Sequence, residues 1–432
     1  MMKLLACVGL ATCFCAMSAP VARAQTFTVI HAFTDGGDGA SPLAGLTFDS
    51  TGNFYGTASR GGDAQADAGV VFKLSQRSDV LTPLYTFHGT FLYQFDGGTP
   101  AGRVVFGPNG ALFGTTELGG TPSCGTGRDR PPPLDGTGCG TVFSLTPPAS
   151  FCQSVQCQWR ETQLIVFGEN GAEGNYPFGD LLINQAGNIF GSAGPIYELT
   201  QSGGGWIESV LGQFNGGSGG GSANGGLVSD AAGNLYGTAT YGGLMGGCYL
   251  GGGCGVVFKL TPAGGSWTET VLYTFSGGSD GGNPYSGLIF DELGNLYGTT
   301  SRYGSAGGGT VFELSPSAGG EWAFSVIYSL AGNGLSCGSY ASLTFDMTGS
   351  LYGTTRCDGA NQMGSVFRLS PSGSGWRYAS LHDFTGGSDG GQPYSNVIFD
   401  SVGNLYGTTY MGGLNVQGCG GYGCGVVWEI TP

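Results

Sequence analysis

The sequence predicts an all-β protein, a seven-bladed β-propeller with four antiparallel strands in each blade. Three observations lead to this fold. A glycine-rich hexapeptide recurs seven times along the 432 residues. Each copy lies among four short runs of apolar, aromatic and β-branched residues, bounded by Gly, Pro, Asn or Asp. The first strand-like run of the chain, after the apolar N-terminal segment 1–24, is typical of the fourth strand of a repeat, and the last run is typical of the third. The last repeat therefore needs the N-terminal strand to complete it.

The repeat is defined by the hexapeptide Gly-Asn-Leu-Tyr-Gly-Thr and its variants. Successive copies are separated by enough chain for four short strands, and recurrence on this scale indicates a propeller or a solenoid. No segment sustains an apolar period typical of a helix, so we expect almost no helix. The copies begin at Gly52, Gly110, Gly187, Gly233, Gly294, Gly349 and Gly403.

The fifth copy shows the strands of one blade, which we label a to d in chain order. They are the runs 287–291, 296–300, 309–314 and 322–330. A tight Asp-x-x-Gly-Asn turn links strands a and b, and we interpret its aspartate as a turn former rather than a metal ligand. The glycine within strand b leaves room for a neighbouring backbone or aromatic ring. The turn aspartates are Asp49, Asp230, Asp291, Asp346 and Asp400.

The two ends of the chain favour a closed ring over an open solenoid. Residues 26–33 form a d-like strand that precedes any strand a, and residues 425–431 form a c-like strand that no strand d follows. We therefore expect the N-terminal strand to pair into the last blade, which removes the open sheet edges that a linear stack would leave.

The segment 1–24 is typical of a secretory signal peptide. Lys3 precedes an apolar core at 4–17, and Ala22-Arg23-Ala24 is a small-x-small cleavage site. A lipoprotein-type cleavage before Cys13 is the alternative, although Thr12 fits it poorly. The sequence thus predicts a signal peptide at 1–24, a propeller at 25–432, and secretion to the periplasm or the exterior.

The charge of the chain excludes some classes of partner. Removal of Lys3 and Arg23 with the signal takes the formal net charge from −15 to −17. Nucleic acids and anionic membrane surfaces are poor partners for such a protein. No later segment is long and apolar enough to span a bilayer, and we expect a monomer.

The repeat resembles the GloVer (Gloeo/Verruco) tandem repeat family of exported bacterial proteins, a choice-of-anchor type. The resemblance is carried by Leu-Tyr-Gly-Thr-Thr, Gly-Val-Val-Phe-Lys-Leu-Thr-Pro and the Trp...Leu-Tyr-x-Phe run, most fully in 233–275, 287–314 and 397–432. The a–b turn is also similar to that of NHL-type propellers. The resemblance implies export but no agreed activity. Many members end in a cell-surface anchor, and since none follows Pro432 we expect a secreted or periplasmic protein.

Ten cysteines remain after the signal, an even number that indicates disulfides in an exported protein. Four pairs are expected from their short spacing, which leaves Cys337 with Cys357. Cys337 lies in a d–a loop and Cys357 in a b–c loop, and both loop types are expected on the same face of the ring. A zinc site would need four converging ligands, which cysteine pairs in different blades do not supply. The expected bonds are Cys124–Cys139, Cys152–Cys157, Cys248–Cys254, Cys337–Cys357 and Cys419–Cys424.

Candidate ligand-binding residues follow strand b in several copies. Aromatic and charged side chains that ring an axial depression are suited to a sugar or a peptide. The once-per-blade tryptophans of strand d (Trp159, Trp206, Trp267, Trp322 and Trp376) are interpreted as blade-packing residues instead of a sugar-stacking platform. The candidates for the loop face are Arg60, Glu117, Tyr241, Arg302, Tyr303, Arg356 and Tyr410.

Acidic residues in the glycine-rich d–a loops are candidate calcium ligands. Carboxylate oxygens and turned backbone carbonyls suit calcium, but Asp-Gly turn chemistry explains the same pattern. No copy has the dense alternating spacing of a dedicated calcium loop. The calcium candidates are Asp38, Asp96, Asp280 and Asp389. No other cofactor is expected. His31 and His382 occupy positions where Tyr85 and Tyr273 stand in other copies, so we interpret them as ordinary strand d side chains.

These observations support three hypotheses for function. The first is a secreted, non-enzymatic binding or scaffold propeller whose partner is a glycan, a peptide or a surface protein. The second is a propeller hydrolase or lyase, which would need two carboxylates about 5–10 Å apart at the channel mouth, with Glu117 and either Asp280 or Asp389 as candidates. The third is a structural surface protein without a discrete site.

Overall fold

The protein folds as seven antiparallel β-sheets arranged as the blades of a ring. The computed structural model describes residues 25–89, 96–120, 138–149, 158–168, 174–244, 246–248, 251–332, 337–373, 375–414 and 419–432. These residues contain 31 strands, two single 3-10 turns at Pro108–Gly110 and Cys419–Gly421, and no α-helix. No helix among them is long and apolar enough to cross a bilayer. The predicted seven-bladed propeller is confirmed.

The first three blades follow the a-to-d order, with an additional edge strand in blade two. Their strands are β2 (Thr47–Phe48), β3 (Phe54–Ala58), β4 (Val70–Leu74) and β5 (Leu81–Thr86) in blade one; β6 (Gly97–Pro100), β7 (Val105–Phe106), β8 (Leu112–Gly119), β9 (Thr141–Thr146) and β10 (Arg160–Val166) in blade two; and β11 (Leu182–Ile183), β12 (Ile189–Ser192), β13 (Ile196–Ser202) and β14 (Gly205–Gly212) in blade three.

Blades four to six follow the a-to-d order with longer outer strands, and blade four has two additional edge strands, its first two in chain order. Their strands are β15 (Asn215–Gly217), β16 (Gly220–Ala223), β17 (Val228–Ser229), β18 (Leu235–Tyr241), β19 (Val256–Ala263) and β20 (Ser266–Thr274) in blade four; β21 (Ile289–Phe290), β22 (Leu296–Thr299), β23 (Gly307–Pro316) and β24 (Trp322–Ala331) in blade five; and β25 (Thr344–Phe345), β26 (Leu351–Thr355), β27 (Ser365–Ser372) and β28 (Gly375–Asp383) in blade six.

The N-terminal strand completes the last blade, as the sequence predicts. Blade seven consists of β29 (Ile398–Phe399), β30 (Leu405–Thr409), β31 (Val426–Thr431) and, as its outermost strand, β1 (Thr26–Ala32). Strand β1 runs antiparallel to β31, with Thr26 opposite Thr431 and Ala32 opposite Val426. The pairing joins the two ends of the described chain and gives the last blade its fourth strand.

The a–b turn aspartates act as turn formers, as predicted. In blade five, Oδ1 of Asp291 accepts the backbone N–H groups of Leu293 and Asn295, and Oδ2 accepts the side chains of Asn295 and Tyr297. The same hydroxyl-to-carboxylate bond joins Tyr55 to Asp49 and Tyr406 to Asp400. Each carboxylate is therefore occupied by its own turn and strand b.

The glycine of strand b makes room for the aromatic residue of strand c. A Cβ atom at Gly298 would lie 2.6 Å from Cζ of Phe312 and 2.8 Å from a methyl group of Leu288. Any larger residue would have to displace a fully buried ring, because protein interiors are packed as densely as organic crystals. The predicted close approach of an aromatic ring is confirmed.

Aromatic contacts join neighbouring blades. Tyr297 of blade five meets the edges of Phe345 and Trp376 of blade six, with ring centroids 5.2 and 6.3 Å apart. Equivalent contacts join Tyr55 to Trp159 and Tyr236 to Trp322. The strand d tryptophans are blade-packing residues, in agreement with the interpretation from sequence.

Three of the expected disulfides are present. They are Cys248–Cys254, Cys337–Cys357 and Cys419–Cys424. The other two expected bonds include Cys124, Cys152 and Cys157, which lie outside the described residues.

Candidate ligand-binding site at the loop face

The d–a loops and the segments that follow strand b meet on one face of the ring, as the sequence predicts. Short backbone bridges join Ala40 to Arg60 in blade one and Gly282 to Arg302 in blade five. The two segments of each blade therefore hold one another in place beside the ring axis.

A narrow central cavity opens at this face and is lined by all seven blades. Its volume is about 60 Å³, which is room for a few water molecules and too little for a sugar ring. Each blade contributes one equivalent side chain from the segment that leads into strand a. These side chains are Leu43, Ala101, Phe178, Asn224, Tyr285, Tyr340 and Tyr394.

A left-handed residue before proline sets the position of most of these side chains. In blade five, Asn283 has φ +53° and donates its N–H to the carbonyl of Cys254 in the preceding blade, over 2.7 Å. The following Pro284 packs against Gly255 of that blade, where a Cβ would lie 2.6 Å from the proline ring. Tyr285 is thereby fixed between two blades.

Five tyrosines form a continuous aromatic arc over blades four to seven, which we call the tyrosine arc. The hydroxyls of Tyr241 and Tyr285 are 3.0 Å apart. Ring centroids are separated by 4.9 Å for Tyr285 and Tyr340, 5.2 Å for Tyr340 and Tyr394, and 5.6 Å for Tyr394 and Tyr410. All five side chains are half-buried. The other half of the mouth carries Leu43, Ala101, Phe178 and Asn224, so the site is one-sided.

The phenol groups of Tyr285 and Tyr394 stay neutral over the physiological range. Burial, opposed by Arg356, raises the pKa of Tyr394 to about 12. Burial and the hydrogen bond with Tyr241 raise the pKa of Tyr285 well above its ordinary value. These two tyrosines therefore offer apolar ring surface and uncharged hydroxyls.

Two arginines border the middle of the arc, and Arg60, which is paired with Asp67, acts electrostatically on Tyr410 at its end. The guanidinium of Arg356 lies 5.5 Å from the ring centroid of Tyr394, within cation–π range. Arg302 acts electrostatically on Tyr285. The arc and these two arginines combine aromatic, hydroxyl and cationic groups in one surface, which is the composition of a site for a polar ligand with apolar faces.

The sequence matches one known repeat family along nearly its whole length. The family model for the Gloeobacter/Verrucomicrobia repeat covers residues 20–243 and 246–432. The chain belongs to the Gloeobacter/Verrucomicrobia repeat family. This result confirms the resemblance seen in the repeat. Among curated proteins there is no match to the sequence.

Solved structures with a similar shape are distant from this Gloeobacter/Verrucomicrobia repeat protein. A Lactobacillus plantarum protein aligns at 12% identity over 83% of this chain and 88% of its own, with a TM-score of 0.49. A candidate oxidoreductase (glucose dehydrogenase) of Thermus thermophilus aligns at 13% identity over 94% of this chain and 100% of its own, with a TM-score of 0.42. A candidate 6-phosphogluconolactonase of Bacteroides fragilis aligns at 14% identity over 85% of this chain and 87% of its own, also with a TM-score of 0.42. Likeness at this level transfers neither an activity nor a ligand.

The predicted loop-face residues of this repeat protein divide into two groups. Tyr241, Tyr410, Arg302 and Arg356 belong to the arc or border it. Glu117 lies within strand β8 of blade two rather than in a loop, because that strand continues to Gly119 to pair with β6. Arg60 is exposed, paired with Asp67 and acts electrostatically on Tyr410, and Tyr303 packs onto the core cluster shared by blades four and five.

The sequence analysis missed Tyr285, Tyr340 and Tyr394, which form the centre of the arc. A signal was present, because Pro-Tyr-Ser recurs at 284–286 and 393–395 and Ser-Tyr-Ala stands at the equivalent place in blade six. These tyrosines lead into strand a, whereas the candidates were sought after strand b.

The calcium candidates are held within their own d–a loops, each in a different blade. Asp280 accepts the Tyr273 hydroxyl and the backbone N–H and hydroxyl of Ser276. Asp96 accepts the Tyr85 hydroxyl and the backbone N–H of His88. Asp38 and Asp389 hydrogen-bond with the threonines that open their loops and with His31 and His382 respectively. Calcium binding at these loops stays a prediction.

The histidines occupy the tyrosine position of strand d, as expected. Nε2 of His31 and Nε2 of His382 each lie 3.0 Å from the aspartate of the following loop, Asp38 and Asp389 respectively. In blade four, the hydroxyl of Tyr273 makes the equivalent contact with Asp280. Among the described residues, one group of three side chains of metal-ligating type lies close together, formed by Asp35, Cys419 and Cys424. Its cysteines are joined in a disulfide and present no thiolates.

Proposed function

We propose that this protein is an exported, non-enzymatic binding protein whose loop face binds a polysaccharide across the tyrosine arc. One observation carries the proposal: five tyrosines from four blades touch in an unbroken sequence from Tyr241 to Tyr410. The ring brings these tyrosines together although they come from four different repeats of the chain.

The chemistry of the arc favours a sugar polymer. Sugar rings combine an apolar C–H face with hydroxyls, and tyrosines offer an apolar face with a hydroxyl in the same way. Because the axial cavity holds only about 60 Å³, the ligand lies across the mouth instead of inside the channel. An arc that follows part of the rim is suited to several consecutive sugar units.

Export is part of the proposal. The signal-like segment 1–24 precedes strand β1, and the disulfides are compatible with an oxidising compartment outside the cytoplasm. The mature chain begins near Gln25 and acts as a monomer in the periplasm or outside the cell.

The geometry does not favour the hydrolase or lyase alternative. Asp280 and Asp389 belong to blades five and seven, and Glu117 belongs to blade two. The carboxylates of Asp280 and Asp389 each accept hydrogen bonds from their own loops. These two carboxylates are thus committed to loop structure.

A glycan array probed with the mature protein, 25–432, tests the proposal, followed by calorimetric titration with the best polymer. Tyr285→Ala, Tyr340→Ala and Tyr394→Ala should each weaken binding at least about tenfold, because aromatic anchors dominate binding energy. Tyr422→Ala is the matched control, since Tyr422 is a 70% exposed tyrosine outside the arc. Melting curves verify that each variant is folded.

Two results would overturn the binding proposal. One is unchanged affinity in all three arc variants. The other is turnover of the bound polymer that disappears in Glu117→Gln, Asp280→Asn or Asp389→Asn, because that result identifies an enzyme.

A further inference from the structure

We propose that the tyrosine arc selects polysaccharides that carry carboxylate groups, such as uronic acid polymers, and that Arg356 binds the carboxylate. This inference rests on the proposed function and names its substrate class. It is carried by the position of Arg356 and by the lack of an acidic partner for its guanidinium among the described residues.

Arg356 is held at the centre of the arc by its backbone. It follows strand β26, and its N–H donates to the carbonyl of Gly338 over 3.1 Å. The next residue, Cys357, is joined by a disulfide to Cys337, which shortly precedes Tyr340. The backbone at Arg356 and the segment that leads to Tyr340 are therefore held together, and the guanidinium lies beside the ring of Tyr394.

The guanidinium of Arg356 has no carboxylate partner among the described residues. Two other arginines do have one: Arg60 is paired with Asp67, and Nε of Arg103 lies 3.1 Å from Asp180. The Nε donor of Arg356 also has no acceptor within the described part of the chain. A charged donor without an acceptor is costly, so a ligand carboxylate would relieve it.

Two acidic side chains of blade six, Asp358 and Asp383, are hydrogen-bonded to other groups. Asp358 is buried and accepts the hydroxyls of Thr355 and Ser365. Asp383 accepts the Ser380 hydroxyl and the N–H of Ala360. Arg356 is therefore close to an aspartate in sequence and is still not neutralised by it.

The chemistry of the guanidinium specifies the ligand group. Its planar set of N–H donors matches the two oxygens of a carboxylate, and stacking on an aromatic ring fixes the plane. Tyr394 supplies that ring, and the neighbouring tyrosines supply the surface for the sugar.

The net charge of the chain opposes an acidic polymer only at long range. Charges more than about 8 Å apart are largely screened at physiological ionic strength, whereas a direct arginine–carboxylate contact is not. Binding should therefore be measured at about 0.15 M salt, where the contact outweighs the general repulsion.

The test compares uronic acid polymers with their methyl esters, which keep the sugar rings and remove the charge. We expect polygalacturonate, alginate or hyaluronate to bind the full mature chain at least about tenfold more tightly than its own methyl ester. Arg356→Gln should abolish this difference, and Arg356→Lys should restore part of it. Arg377→Gln removes the same charge from an exposed position of strand β28 in the same blade and should leave the difference intact.

The outcomes separate this inference from the proposed function. Equal binding of acid and ester, or an acid preference that survives Arg356→Gln in a folded variant, overturns the role of Arg356 while the arc remains a glycan site. Binding of no acidic or neutral glycan by the wild-type protein overturns both proposals.

Discussion

The hydroxyl of Thr408 donates to the carbonyl of Ala44 over 3.0 Å and so ties blade seven to blade one. The threonine or serine that ends the repeated hexapeptide makes the equivalent bond to the next blade around most of the ring. The other bonds run from Thr57 to Gly102, Ser192 to Gly225, Thr238 to Ser286, Thr299 to Ala341 and Thr354 to Ser395. The hexapeptide therefore encodes contacts between blades as well as a strand.

The first prediction concerns this ring of hydroxyl bonds. Thr408→Val should lower the free energy of unfolding by about 1–3 kcal/mol, because the buried carbonyl of Ala44 loses its donor. Thr115→Val is the matched control, since Oγ1 of Thr115 is buried and has no partner among the described residues. Urea denaturation should show little loss for Thr115→Val. Equal losses at the two positions would contradict a specific role for the bond.

The second prediction concerns the glycine of strand b. Gly298→Ala should destabilise the protein by about 1–3 kcal/mol, because its methyl group would overlap Phe312 and Leu288. Gly294→Ala, at a turn with φ +84° and open space around it, tests backbone strain without overlap. If overlap is the cause, Phe312→Leu should partly rescue Gly298→Ala in thermal melts and should not rescue Gly294→Ala.

The third prediction concerns pH dependence at Glu161 of strand β10. Burial, with a smaller contribution from Asp96, raises the pKa of Glu161 from 4.5 to about 7. The folded state therefore holds this proton more tightly than the unfolded chain, and stability should fall as pH rises from about 4.5 to 7. Oε1 of Glu161 has no hydrogen-bond partner within the described residues, in keeping with a preference for the neutral form.

Glu161→Gln should accordingly raise the melting temperature at pH 8 and change it little at pH 4. Glu321→Gln, an exposed position, removes the same charge and should have no such pH-dependent effect. The groups that face Glu161 across the blade boundary are Asp96, Tyr85 and, through Asp96, His88. A Glu161→Gln effect that is the same at both pH values would refute the assignment.

The fourth prediction concerns the disulfide beside the arc. Blade six has Gly338-Ser339 where most blades have a left-handed residue before proline, and Cys337–Cys357 joins its two loops instead. Replacing both cysteines by serine should cost about 3 kcal/mol of stability on the chain-entropy estimate, and it should weaken ligand binding through Tyr340 and Arg356.

The corresponding double serine variant at Cys419 and Cys424 serves as the comparison. Its bond spans a sequence separation of 5, compared with 20 for Cys337–Cys357, so the expected loss of stability is smaller, about 2 kcal/mol. Melting curves and titrations on both variants separate stability from binding. Unchanged affinity after loss of Cys337–Cys357 would show that the loop needs no crosslink to hold the arc.

Much of this fold could be predicted because its signals are local. An aspartate shortly before strand b, as Asp291 is before Leu296, specifies a turn through bonds to Leu293 and Asn295 within the same turn. Repetition then gives the number of blades, and the unmatched strand at 26–33 gives the closure. Cys337 and Cys357 are the pair left after the four short-spaced pairs, and the strand order shows that their two loops lie on the same face, so that the bond is allowed.

The sequence by itself thus determined the strand order, the seven blades, the closing strand and the turn role of the aspartates. Only the tertiary structure decided that tyrosines from four blades form one surface and that Arg356 lies there without a carboxylate among the described residues. The physical reason is distance along the chain: Tyr285, Tyr340 and Tyr394 are each a whole repeat apart in sequence and meet only because closure of the ring brings equivalent positions to one axis. A local pattern encodes each blade, whereas a binding surface is encoded by the differences between blades at one shared position.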